Sequence, residues 1–169
     1  AVKKKVPELN VVAEDLGAVN DRVRNLLAFS GYPGMKVLQF AYDGGGGDNS
    51  HQPQLYQPNC AAYTGTHDND TSLGWWRACS DQTRRNLREA LGEVDDSTVV
   101  WRMIKAVFDS RANIAMAEMQ DYLGLDSAAR MNTPGTVGEK NWRYRALSSD
   151  FSAELAARMR ALCEESGRV

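Results

Sequence analysis

No stretch of this sequence approaches the roughly 20 consecutive apolar residues that a membrane-spanning helix needs, and its first residues are charged rather than arranged as a signal peptide. On that reading a membrane is not a partner, and the chain is expected in the cytoplasm. Histidine is scarce, with only His51 and His67 present, so a dinuclear metal site lacks ligands and no metal is expected. Cysteine is limited to Cys60, Cys79 and Cys163, an odd number at wide spacing that reads as reduced thiols rather than a disulfide framework or a zinc site. An excess of one charge is missing too. The 20 Lys and Arg stand against 22 Asp and Glu, for a net charge of −2, and apart from Lys3, Lys4 and Lys5 the basic residues are scattered. Without a basic stripe, nucleic acid is not an expected partner. The glycines at 44–47 lack the lysine and hydroxyl that complete a P-loop. The chain opens at Ala1 without a methionine and runs almost at once into an apolar segment, which raises the expectation of a start inside a longer protein.

What is present suits one globular domain over 1–169: 43% of the residues are hydrophobic, enough to build a core. Short apolar runs predict strands over 9–13, 35–42, 61–64 and 114–119. Between and after them, helical spacing predicts a helix behind Asn20, with Val23, Leu26 and Leu27 on one face. Further helices are predicted over 81–91, 98–108 and 152–163, each opened by a capping residue, and a turn-rich loop over 131–138. Strands that alternate with helices argue for a parallel sheet covered by helices, an α/β fold. Each strand carries a polar cluster at its C-terminal end, where barrels and open α/β sheets place their sites. Four such units amount to half of an eight-stranded barrel.

Two of these clusters hold carboxylates, Glu14 with Asp15, and His67, Asp68, Asn69 and Asp70. Glycoside chemistry wants such a set, with one carboxyl to protonate the leaving oxygen and another to attack or to stabilise an oxocarbenium-like transition state. Acidic residues after a strand also serve as helix caps and loop solvators, so spacing leaves both readings open. The rings of Phe40, Tyr42, Tyr63, Trp75, Trp76 and Trp142 divide in the same way between sugar platforms and core filler.

Taken together, VAEDLG at 12–17, PGMKVLQF at 33–40, YTGTHDNDT at 63–71, MNTPGT at 131–136 and NWR at 141–143 resemble the 4-alpha-glucanotransferase family, also called amylomaltases or disproportionating enzymes. The resemblance implies a partial (β/α)8 TIM barrel, the last four βα units of an alpha-amylase-type catalytic domain, with the N-terminal half of the barrel absent. It implies Glu14 as general acid/base, Asp68 as the carboxylate that grips the sugar and stabilises the transition state, and His67 as a partner of sugar hydroxyls. Asp43, Asn69, Gln120 and Asn132 are carried over as further glucan contacts. The implied reaction transfers alpha-1,4-glucan segments with retention, on maltooligosaccharides, starch or glycogen, with no cofactor. The family's nucleophile lies in a segment that nothing here matches, so the isolated chain is expected to be inactive. Glu118 stands where relatives often have proline, and the glycines at 44–47 look freer than the family's loop. The open edges of half a barrel predict self-association. Two other functions remain open: a non-catalytic carbohydrate-binding or assembly module, and an alpha-amylase-type hydrolase.

Overall fold

The computed structural model describes residues 2–5, 8–17, 19–42 and 49–169. Helices α1 (Val2–Lys5) and α2 (Asp21–Ser30) precede strands β1 (Gly34–Val37) and β2 (Cys60–Tyr63). Helices α3 (Ser72–Ala78), α4 (Asp81–Leu91) and α5 (Val99–Phe108) then lead to β3 (Ile114–Met116), followed by α6 (Met119–Tyr122) and α7 (Ala153–Glu165). Side-chain caps set several of the helix starts. Asn20, Ser80 and Ser152 each accept the amide of the residue three positions on, Val23, Thr83 and Leu155, at 3.1 Å. Helix α2 stops at Gly31, whose φ of 65° is the left-handed conformation that ends helices.

The three strands form one parallel sheet in the order β1-β2-β3, with Gly34 opposite Cys60 and Ala61 opposite Ile114. Parallel neighbours need crossovers, and α3, α4 and α5 supply the one between β2 and β3. The middle strand is apolar because it is covered on both faces, and Cys60, Ala61 and Ala62 are all buried. Helix α5 fills most of the core: Val99, Val100, Met103, Ile104, Val107 and Phe108 recur at helical spacing and are buried. Full burial of side chains such as Met103, Ile104 and Val107 stabilises the fold by about 1.5–3 kcal/mol each. Leu38, Tyr56, Trp76, Leu87 and Leu162 close the core around them.

Several expectations are corrected. Residues 9–13 are not a strand: the Ala13 amide donates to the Pro33 carbonyl at 2.8 Å, and one such bond does not make a ladder. The second strand stops at Val37 rather than Tyr42, because the chain tightens into a 3₁₀ turn over Leu38–Ala41. That turn buries Gln39, whose side-chain amide donates to the Asp70 carbonyl at 2.8 Å. The last strand ends at Met116, and α6 starts three residues later. The described residues therefore hold three strands instead of four. The glycines at 44–47 lie outside the described residues.

Candidate active site

The C-terminal ends of β1 and β2 open onto a cleft of about 390 Å³, within the roughly 300–1,000 Å³ of small-molecule sites. Glu14, His67, Asp68 and Asn69 line it, with Phe40, Met35, Leu16 and Pro134 as the apolar part. Each side chain arrives there for a local reason. Segment 8–17 is tied to β1 by Asp15, whose Oδ1 accepts the Met35 amide at 2.6 Å. Gly34 makes that approach possible, since a Cβ there would lie 2.8 Å from Asp15 Oδ2. The two adjacent acids thus divide the work: Asp15 anchors the segment and the exposed Glu14 lines the cleft.

Past β2 the chain makes a tight turn. Asn69 Oδ1 accepts both the Thr66 amide, at 3.0 Å, and the Thr66 hydroxyl, at 2.9 Å, so its carbonyl oxygen serves the turn even though the residue lines the cleft. A Cβ on Gly65 would come within 2.7 Å of Gln39 Nε2, which explains a glycine where the turn leaves the strand. The turn presents His67 and Asp68, both about half exposed, with Nε2 of the imidazole 3.5 Å from Asp68 Oδ1. Asn132 reaches back across 64 residues and donates its side-chain amide to the same oxygen at 2.6 Å. Asp68 Oδ2 has no partner among the described residues.

Arg130 is the residue that sequence reasoning missed. Its guanidinium donates to the Asp68 carbonyl at 2.8 Å and to the Asn132 carbonyl at 2.8 Å, locking the later loop onto the β2 turn. It stands immediately before the 131–136 block, but no spacing rule indicates that its head returns to a residue 62 positions upstream.

Gln120 lies away from the cleft: it is buried, and its amide donates to the Ala129 carbonyl at 3.3 Å. Asp43 lies outside the described residues. Beneath the cleft, Asp121 is buried and accepts the Thr64 hydroxyl at 2.6 Å and the Ser72 amide and hydroxyl, both at 2.7 Å. Burial raises its carboxyl above the usual range while these donors pull the other way. Glu118, two residues past β3, is pushed up to about 7, first by burial and then by the charges of Asp121 and Asp70. Among the described residues no three His, Cys, Asp or Glu side chains gather as metal ligands. Other hollows, one of about 320 Å³ beside Trp101 and Arg158 and one of about 540 Å³ beside Arg130 and Tyr144, hold neither Glu14 nor Asp68. No helix among the described residues is long and apolar enough to cross a membrane.

Comparison with known proteins gives a consistent result. A family model described as 4-alpha-glucanotransferase matches residues 1–149. A chloroplastic and amyloplastic 4-alpha-glucanotransferase of Oryza sativa subsp. japonica is 43% identical over 165 residues, covering 96% of this chain and 27% of that protein. A 4-alpha-glucanotransferase of Streptococcus pneumoniae is 46% identical over 153 residues, covering 90% of this chain and 30% of that one. Among solved structures, the amylomaltase from Streptococcus agalactiae in complex with acarbose superposes with a TM-score of 0.91 at 28% identity, over 99% of this chain and 34% of that one. The chain therefore spans about a third or less of the length of these relatives.

Proposed function

Because the chain belongs to the 4-alpha-glucanotransferase family, we propose that its cleft is part of a site that moves alpha-1,4-glucan segments between chains with retention of configuration. The observation that carries this reading is that Glu14, His67 and Asp68 line one cleft. That the family's solved neighbour is named with acarbose fits a glucan as the occupant.

In the proposed first step, the protonated Glu14 carboxyl gives its proton to the glycosidic oxygen as that bond breaks, and a carboxylate from outside these 169 residues bonds to the sugar's anomeric carbon. In the second, the Glu14 carboxylate takes the proton of an acceptor's 4-hydroxyl, whose oxygen displaces the nucleophile. Asp68 accepts hydrogen bonds from hydroxyls of the reacting sugar through Oδ2, the oxygen that Asn132 leaves free, and His67 contacts hydroxyls beside it. Asn69 and Asn132 hold the turn and the Asp68 carboxylate more than the glucan. The strands are read as part of a (β/α)8 barrel whose remaining staves bring the nucleophile to about 5 Å from Glu14, the separation a retaining pair needs. The reading needs no metal or cofactor.

The test is product analysis with maltotriose on the whole natural polypeptide that contains these residues. Glucose together with a ladder of longer maltodextrins is expected, and simple breakdown would instead make it a hydrolase. Binding of maltotriose without any product would make it a carbohydrate-binding module. Glu14→Gln is expected to lower kcat by about a hundredfold or more with an unchanged melting temperature, since it removes the proton and not the shape. An unchanged rate rules Glu14 out as the acid/base.

A further inference from the structure

Trp142 is held in a backbone conformation that bulky side chains avoid. Its φ is 62°, and it is the only non-glycine with positive φ among the described residues. In that region the Cβ crowds the neighbouring carbonyl, so an L-residue with a large side chain stays there only when its surroundings over-determine it. Burial does not compensate, because Trp142 is 56% exposed. A strained and exposed tryptophan is a poor choice for stability alone.

The surroundings do over-determine it. The Trp142 amide donates to the Met131 carbonyl at 2.7 Å. One residue earlier, the Asn141 side chain accepts the Thr133 amide at 3.1 Å and donates to the Thr136 carbonyl at 3.2 Å and hydroxyl at 3.0 Å. The loop is thus cross-braced at the point where the indole leaves it. The product of the bracing is one contact: the indole lies 5.2 Å from the His67 imidazole, centroid to centroid, tilted by 35°. His67 is half exposed and sits beside the Asp68 carboxylate. Without a neighbour on its face, such a ring samples several rotamers.

We infer that Trp142 is a positioning residue, whose braced left-handed backbone sets the indole against His67 and so fixes the imidazole plane beside Asp68. What His67 then touches rests on the glucan-transfer reading, whereas the device itself does not.

The experiment compares Trp142→Gly and Trp142→Phe in the whole natural polypeptide. Glycine takes φ 62° without a clash, so it removes strain and indole together, while phenylalanine keeps a ring against His67. For Trp142→Gly the expected result is a melting temperature equal to or above the parent's, with kcat/KM for transfer from maltotriose lowered about tenfold or more. The ¹⁵N resonances of the His67 imidazole, which report its tautomer and hydrogen bonding, move toward those of a free imidazole. Trp142→Phe restores kcat/KM to within about threefold and keeps the His67 resonances near the parent's. A Trp142→Gly protein that melts several degrees lower with unchanged His67 resonances overturns the inference, because the indole would then be structural. Failure of the parent to transfer glucan sinks the proposed function only, since the His67 spectra and melting temperatures still decide the role of Trp142.

Discussion

Glu118 sits where two needs collide. Its backbone carbonyl accepts the Asp121 amide at 3.0 Å and the Tyr122 amide at 3.2 Å, so it must stay at the start of α6, and there its carboxyl is half buried near two other acids. With the folded carboxyl at about 7 and an ordinary value of 4.5, the folded chain keeps a proton that the unfolded chain loses between those values. Stability therefore falls as pH rises through that window and stays lower above it. Glu118→Gln, neutral at every pH, is expected to raise the melting temperature at pH 8 and to change it little at pH 4. An equal shift at both pH values refutes the account. His51 acts with the opposite sign: burial, then Lys36, lowers its imidazole below 6.5, and its Nδ1 accepts the Val37 amide at 3.1 Å. Its contribution is present above pH 6.5 and is lost as pH falls through the lowered value. Because the two slopes oppose each other where they overlap, only the Glu118 variant isolates its own.

Among the elements, α5 and α7 are linked by Arg158 over the Trp101 ring and by Lys105 with Glu165, and one further side chain makes three bonds between their ends. Arg168, past the end of α7, donates to the carbonyls of Phe108 at 2.6 Å, Ser110 at 2.9 Å and Ala112 at 3.0 Å. These lie at and beyond the C-terminus of α5, where helix carbonyls lack intrahelical partners and a cation is favoured. Arg168→Ala is expected to lower stability by about 1.5–3 kcal/mol, read as a lower urea midpoint at unchanged m-value. A loss under half a kcal/mol would mean that water replaces the guanidinium. Helices α4 and α7 were legible in the sequence because Ser80 and Ser152 announce them and their apolar spacing continues. Helix α3 was not, and Gly74 is the reason. Glycine argues against a helix on propensity, yet here any Cβ would collide with Ser127 Oγ and crowd Asp70, which approach from other parts of the chain. The strands over 35–42 and 114–119 were read too long because apolar content does not reveal where a chain stops pairing.

At the scale of the molecule, α2 has no buried residue, and on it Phe29 is 90% and Leu26 66% exposed. Leu9, 56% exposed, adds to the uncovered apolar surface. Such surface on a helix whose polar face is equally exposed drives association in water. The 169-residue chain by itself is expected to self-associate, and Leu26→Ser with Phe29→Ser to shift it toward monomer in light scattering. A parent chain that is monomeric at tens of micromolar, by the same measurement, removes the argument. The covering that these side chains suit is the rest of the proposed barrel.

The sequence by itself determined the α/β alternation, the starts of the capped helices and the family, since caps, periodicity and contiguous motifs are local. It singled out Glu14 only through the family resemblance and gave Asp15 no role, offered Gln120 for the cleft, and gave Arg130 and the backbone of Trp142 no role. Those were decided by contacts between residues far apart in the chain: the Met35 amide that takes Asp15, the Ala129 carbonyl that takes Gln120, and the loop over 130–142 that folds back onto Asp68 and His67. A side chain's partner depends on what packing brings within 3 Å of it, and that is a property of the folded chain.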